Sequence, residues 1–187
     1  RVIAGKARGT KLLPPKHEGI RPTSDYIKEN LFNIIQNDVI DCNFLDIFCG
    51  SGAIGIEALS RGAKKAIFLD ADKISLELTR QNLEKTKLQD KATIFQGDAA
   101  KILQKLSKKH FDIIFLDPPY FEELANKTLK AILELDILAD MGYIIVETSK
   151  EAKNIDLSLL EVFKERTYGN TKLIFLRKVQ NDSHLPR

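Results

Sequence analysis

Residues 117–120 read DPPY, directly after the apolar run FDIIFL. Each proline fixes one backbone angle and removes one N–H donor. Asp117, Pro118, Pro119 and Tyr120 therefore predict a rigid loop that offers carbonyl oxygens, a carboxylate and an aromatic ring. That set suits a flat exocyclic amine on a nucleobase. Asp117 and the Pro118 carbonyl can accept the two amine hydrogens, which draws the nitrogen out of conjugation and frees its lone pair for a methylsulfonium. Tyr120 can stack on a base that has left its own stack. Hydrogen bonds aimed at the charge developing on nitrogen lower the barrier without covalent catalysis. With a good leaving group already on the donor, positioning supplies most of the rest. The bland alternative is a plain turn, with Tyr120 as a core ring.

A second constellation lies upstream. CGSGAIG (49–55) has the G-x-G-x-x-G spacing of a strand-to-helix turn beneath a pyrophosphate, but similar turns also serve ligands without phosphate. Four acids fall in or just after predicted strands: Asp46, Asp70, Asp98 and Asp117. In an open α/β sheet that rim is where ligands bind. Asp70 stands 18 residues beyond Gly52, a spacing at which an acid can accept from ribose hydroxyls. Any one of these acids could instead cap a helix, Asp98 ahead of AAKIL above all. A pyrophosphate needs a helix N-terminus free of competing negative charge. Asp46 stands just before the turn and suits an ammonium group, which favours S-adenosylmethionine over a dinucleotide.

Elements to position these groups are legible in the pattern. RVIAG and GTKLLPP predict two short strands with Gly9 near their turn, and Thr23 is placed to cap a helix with the stripe Ile27, Leu31, Ile34 and Ile35. Strands are expected at 44–48, 65–70, 92–96, 111–117 and 142–147, with helices between them. The helix over 72–87 is expected to turn Ile74, Leu78 and Leu83 inward. Repeated strand–helix units predict a mostly parallel sheet covered on both faces. LEVFKERTYGNTKLIFLRK predicts two closing strands about Gly169-Asn170, too closely connected for a parallel crossover and so antiparallel. Residues 1–20 read as a basic β-hairpin extension, 21–178 as the main domain and 179–187 as a polar, disordered tail.

Bulk properties exclude several classes. The 187 residues, 43% hydrophobic and 29% charged, suit one globular domain. No run is long and apolar enough for a membrane span, and no signal peptide is visible. A start at Arg1 rather than Met predicts a short missing terminus. Cys42 and Cys49 form no CxxC pair, which favours a reducing cytoplasm, and the three histidines have no neighbours at zinc spacing, so no metal is expected. Through position 21 the basic residues Arg1, Lys6, Arg8, Lys11, Lys16 and Arg21 face only Glu18. Such an arm can contact nucleic-acid phosphates or simply be solvated. Lys28 is assigned to the surface of its helix.

LDIFCGSGAIGIEALSRG resembles motif I of class I S-adenosylmethionine-dependent methyltransferases, and DPPY their amino-methylating motif IV. The opening RVIAGKARGTKLLPP and the block RPTSDYIKENLFNII resemble the bacterial 16S ribosomal RNA guanine-N2 methyltransferase family, of the guanine(966)-N(2) type, nearly end to end. The resemblance implies a Rossmann-like fold with a seven-stranded sheet and methylation of one guanine N2 in 16S RNA within the small subunit. It implies that Gly50, Ser51 and Gly52 line the methionine part of the cofactor, with Asp46 at its amino end. Asp70 and Ala71 would lie at the ribose, and Asp98 and Ala99 at the adenine. Asp117, Pro118, Pro119 and Tyr120 would hold the guanine, with Arg21, Pro22 and Thr23 in a loop over the site. Arg8, Lys11 and Arg21 would meet RNA phosphates, which position a strand without reading its sequence. The family often has Glu at the position of Asp70 and Phe at that of Tyr120, changes that keep the chemistry. A monomer is expected.

Competing readings are a DNA amino-methyltransferase, which ordinarily needs an added recognition segment, and a protein glutamine N-methyltransferase, expected to prefer Asn at 117. A nicotinamide oxidoreductase would leave DPPY unexplained, and a silent RNA-binding module would gain nothing from it.

Overall fold

The computed structural model describes residues 1–15, 24–119 and 121–179. Arg21, Thr23, Tyr120 and the tail from 180 onward lie outside these residues. In chain order the elements are α1 (Asp25–Ile35), β1 (Asn43–Ile47), α2 (Ala53–Ser60), β2 (Lys65–Asp70), α3 (Lys73–Thr86) and β3 (Ala92–Gln96). Then follow α4 (Ala99–Lys105), β4 (Phe111–Leu116), α5 (Phe121–Glu134), β5 (Leu138–Ser149), β6 (Leu160–Tyr168) and β7 (Thr171–Lys178).

The strands form one sheet in the order β3-β2-β1-β4-β5-β7-β6. β1 pairs in parallel with both β2 and β4, and β4 in parallel with β5. β7 inserts between β5 and β6 and runs antiparallel to both. The expected parallel sheet with a closing antiparallel pair is thus present. Parallel central strands are buried on both faces, and NFLDI shows why its run is almost continuously apolar. Phe44 joins the core on the side of α1, α2 and α3, whereas Leu45 and Ile47 join the core on the side of α4 and α5. Chain order reverses direction between β1 and β4, the place where open α/β sheets form a ligand crevice.

Several local expectations differ from the structure. No strands form over residues 1–13; instead the amide of Val2 donates to the Thr10 carbonyl, and that of Gly9 to the Val2 carbonyl, closing an irregular loop. The arm's other amides go to turns within it, to the Ser60 carbonyl and to the side chains of Glu57, Ser60 and Asn82, so it needs no strand partner. The α1 cap is Ser24, whose Oγ accepts from the Ile27 amide at 3.2 Å, one residue after the expected Thr23. Ile74 is 47% exposed, while Ser75, Leu78, Thr79, Asn82 and Leu83 form the buried side of α3. The apolar periodicity misled there because several inward positions are polar, and two of them, Thr79 and Asn82, hold neighbouring loops. β5 starts at Leu138, four residues before the expected 142, with an irregular register against Phe111–Ile113.

Lys28 is the sharpest departure: it is 2% exposed, not on the surface. Its Nζ donates to the Arg1 carbonyl at 2.6 Å and lies 3.8 Å from Glu57 Oε1. Glu57, fully buried on α2, also accepts from the amides of Ile3 at 2.7 Å and Ala4 at 3.2 Å and pairs with Arg61 at 3.1 Å. Burial pushes the Lys28 ammonium below its ordinary value against the pull of Glu57 and Asp25. A buried charge must be paired and hydrogen-bonded. Here the pairing fastens the first residues of the chain onto α1 and α2.

Candidate active site

β1 ends at Ile47, and the chain turns sharply through Phe48, whose φ of 61° puts a bulky residue in the left-handed region. Such strain costs about 1–3 kcal/mol and persists only where surrounding contacts enforce it. Those contacts are dense. The Gly50 amide donates to Asp70 Oδ2 at 2.9 Å, and Thr79 Oγ1 donates to the Gly50 carbonyl at 2.8 Å. Asn82 Nδ2 donates to the Ser51 carbonyl at 3.0 Å, and the Gly55 amide to Asp46 Oδ2 at 3.0 Å. β1, β2 and α3 therefore hold the glycine turn from three sides.

The glycines divide the work. A side chain at Gly52, where φ is 80°, would meet Thr79 Cγ2 at 2.9 Å. One at Gly55 would strike the Phe68 ring at 2.4 Å, so this glycine lets α2 lie close on β2. The Cβ position at Gly50 meets nothing within 4 Å, leaving open space on the turn's outer side.

Sheet register brings the strand-end acids onto one rim. Asp46 is 1% exposed, one residue before the end of β1. Burial pushes its carboxyl up to about 8, opposed by the Gly55 amide and assisted by Asp70 and Glu147. Asp70 ends β2, and its second oxygen accepts from the Asp72 amide at 2.9 Å. Asp117 follows β4 as Glu147 follows the Val146 partner of Leu116 on β5, so the two acids are neighbours across adjacent strands. That register brings their side chains within reach of one another, and Glu147 is among the groups that raise Asp117. Asp117 keeps part of its residue surface exposed, yet its carboxyl is enclosed. Burial, Glu147 and Asp46 raise it well above the usual carboxylate range. Pro118 is buried and Pro119 exposed, which turns the loop outward from the sheet.

The remaining expected residues sort differently. Asp98 is exposed and caps α4 through the Lys101 amide at 3.2 Å, with Ala99 buried beside it. Ala71 is exposed between Asp70 and the α3 cap Asp72. Arg8 and Lys11 are exposed on the arm. Asn82 draws the end of that arm to the glycine turn, since it also accepts from the Leu13 amide at 2.7 Å and donates to the Leu13 carbonyl at 3.2 Å. Arg21 and Tyr120 lie outside the described residues.

Glu147, Thr79 and Asn82 were not among the expected site residues. Glu147 ends the run GYIIVE at the same rim as the other acids, a signal the strand-end rule could have found. Thr79 and Asn82 are polar residues three apart on the inward side of α3. The cysteines are free and buried, and burial raises both thiols, Cys42 to about 12. Among the described residues no group of acids, histidines or cysteines could hold a metal ion.

This arrangement fits a cationic ligand. Among the described residues, burial and other carboxylates raise the Asp46 and Asp117 carboxyls, and no lysine or arginine opposes them. An ammonium and a sulfonium placed there would lie against these acids, with the open side of Gly50 to admit them.

Comparison with known proteins follows the same line. The sequence profile of the family described as Conserved hypothetical protein 95 matches residues 1–177. The chain belongs to that family. Among its relatives, Ribosomal RNA small subunit methyltransferase D of Haemophilus influenzae is 38% identical over 183 residues, spanning 97% of this chain and 93% of that protein. The protein of the same name from Escherichia coli strain K12 is 36% identical over 151 residues, spanning 81% of this chain and 75% of that protein. The solved structure of Escherichia coli yhhF superposes with a TM-score of 0.83 at 30% identity, covering 96% of this chain and 98% of the other. The Conserved hypothetical protein 95 match thus covers the arm, the glycine turn, the acid rim and the closing hairpin together.

Proposed function

We propose that this chain transfers a methyl group from S-adenosylmethionine to the exocyclic N2 amine of one guanine in 16S ribosomal RNA, within the small ribosomal subunit. The observation that carries the reading is Asp117, enclosed at the end of β4 before two prolines, on the rim that the glycine turn shares. The naming of the relatives above supports ribosomal RNA as the acceptor.

Bound S-adenosylmethionine supplies an activated methyl group with a neutral thioether as leaving group. Gly50, Ser51 and Gly52 would receive its methionine portion, with Asp46 attracting the positive charges. Asp70 and Ala71 would lie at the ribose, and Asp98 and Ala99 at the adenine. Asp117 and the Pro118 carbonyl would accept the two N2 hydrogens, and Pro119 would hold the loop rigid. Tyr120 would stack on the extruded guanine. A negative carboxylate close to N2 favours the positive charge that gathers there as the methyl moves, and the enclosed site strengthens that attraction. Arg8, Lys11 and Arg21 would contact phosphates, with the arm fixed beside the turn by Asn82. The protein would act as a cytoplasmic monomer, with residues 1–20 as an RNA-contacting extension of the 21–178 domain.

The nicotinamide reading loses ground because it leaves the DPPY loop at the rim without a role. No observation favours DNA or glutamine as acceptor.

The test is transfer of labelled methyl from S-adenosylmethionine to small subunits from cells lacking this protein, beside naked 16S RNA and duplex DNA. N2-methylguanosine at one 16S position is the expected result. Label in DNA or protein, or none, would overturn the assignment.

A further inference from the structure

The adjacency of Asp117 and Glu147, at the ends of the paired strands β4 and β5, has no role in the cofactor and base contacts proposed above. Two neighbouring carboxyls can hydrogen-bond only when a proton lies between them, since two carboxylates have no donor. Glu147 is 9% exposed, flanked on β5 by Val146 and Thr148, and stands opposite Leu173 of β7. Its strand is fixed by pairing with β4 on one side and β7 on the other. Asp117 instead starts a loop, with no strand partner of its own. One acid is therefore anchored and the other needs anchoring.

We propose that Glu147 is the positioning residue of Asp117, holding one of its oxygens through a shared proton so that the other faces the amine to be methylated. This inference rests on the methyl-transfer reading above. The pair then carries one negative charge and one proton. The charge favours the developing positive nitrogen, while the proton prevents repulsion between the two acids. Asp46 of β1 also faces Asp117, and Asp70 of β2 lies beyond it against Asp46. Lys172 of β7, opposite Thr148, points its ammonium to Glu165 at 3.5 Å instead.

The experiment compares Glu147→Ala and Glu147→Gln with the unmodified protein for cofactor affinity and for kcat across pH. In Glu147→Ala the Asp117 carboxyl loses its anchor, and a displaced contact of this kind lowers kcat by about 100-fold. Cofactor affinity should stay within about threefold, since the pair addresses the acceptor amine rather than the cofactor. Glu147→Gln keeps an N–H donor toward Asp117 and should restore most of kcat. It also removes the neighbouring acid that raises Asp117, so the acidic limb of kcat should move down by about one pH unit or more. An unchanged pH profile in Glu147→Gln would overturn the proposal, as would full kcat in Glu147→Ala. A parallel loss of cofactor affinity and kcat would also overturn it, assigning Glu147 to the cofactor site. Should Glu147→Ala fail to fold, the isosteric Gln variant still decides through its profile. Absence of methyl transfer by the unmodified protein is a different failure, that of the functional reading.

Discussion

Asp46 gives the reasoning its strictest test. It is 1% exposed, and burial pushes its carboxyl up to about 8. Below that pH the ionised fraction falls about tenfold per unit, so at pH 6 only about one molecule in a hundred carries the charge. A cation that binds the charged form should therefore bind about 100-fold more weakly at pH 6 than the fully ionised site would allow. Affinity for S-adenosylmethionine should rise steeply from pH 6 to 8. It should then level or fall, because an α-amino group loses its own proton at about pH 8. Asp46→Asn should bind weakly at every pH and show little slope below 8. Stability of the free protein should move the opposite way. The folded state holds the Asp46 proton up to about 8, whereas the unfolded chain loses it in the ordinary carboxyl range. The unfolded state then binds fewer protons, and stability is lost as pH climbs through that interval, at up to about 1.4 kcal/mol per unit. Isothermal titration calorimetry at pH 6, 7 and 8, in two buffers of different ionisation enthalpy, measures affinity and proton release together. Equal affinity at pH 6 and 8, without proton release, would refute the placement of Asp46 against the cofactor's charge. A steep slope surviving in Asp46→Asn would move the titration to another group.

Other consequences are as direct. Asp117→Ala should abolish methyl transfer while leaving cofactor affinity largely intact; equal loss of both, measured by calorimetry and label transfer, would place Asp117 in the cofactor site. Gly55→Ala should destabilise the fold by about 1–3 kcal/mol through the clash with Phe68, read as a lowered denaturation midpoint. An unchanged midpoint would mean that α2 is free to move off β2. Asn82→Ala should both weaken cofactor binding and raise hydrogen exchange at Leu13, since one side chain serves the turn and the arm. The exposed pair Arg8 and Lys11, changed together to Ala, should weaken RNA binding and flatten its salt dependence, with cofactor affinity as the internal control.

The sheet was legible because its strands are short apolar runs separated by helix-length segments, and periodicity reports burial directly. The rim acids were legible because strand ends converge in such a sheet. What escaped were polar residues with inward jobs. Lys28 reads as a surface lysine until Glu57, a turn of another helix, meets it, and nothing local announces that contact. Thr79 and Asn82 interrupt the apolar stripe of α3, so the stripe was drawn through Ile74 instead. Asp98 shows the reverse: its spacing marked it as a ligand contact, and its cap on α4 is the role the free protein displays. The arm failed as a hairpin because the amides of Ile3, Ala7 and Leu13 go to Glu57, Ser60 and Asn82, partners more than 50 positions away.

The position of β7 sets a condition on how the protein is made. Its residues are the last of the sheet to be synthesised, yet they insert between β5 and β6 and lay Leu173 across from Glu147. A growing chain can pair β1, β2, β3 and β4 well before then, and it can close the glycine turn from residues 46–82 alone. It cannot seal β5 or enclose the acids beside it until the final hairpin folds back. A product cut short before Thr171 would keep every residue of the glycine turn and the DPPY loop, but with its acid pair open to water. Closure of the rim therefore arrives late and all at once, with the last strand of this sheet to be made.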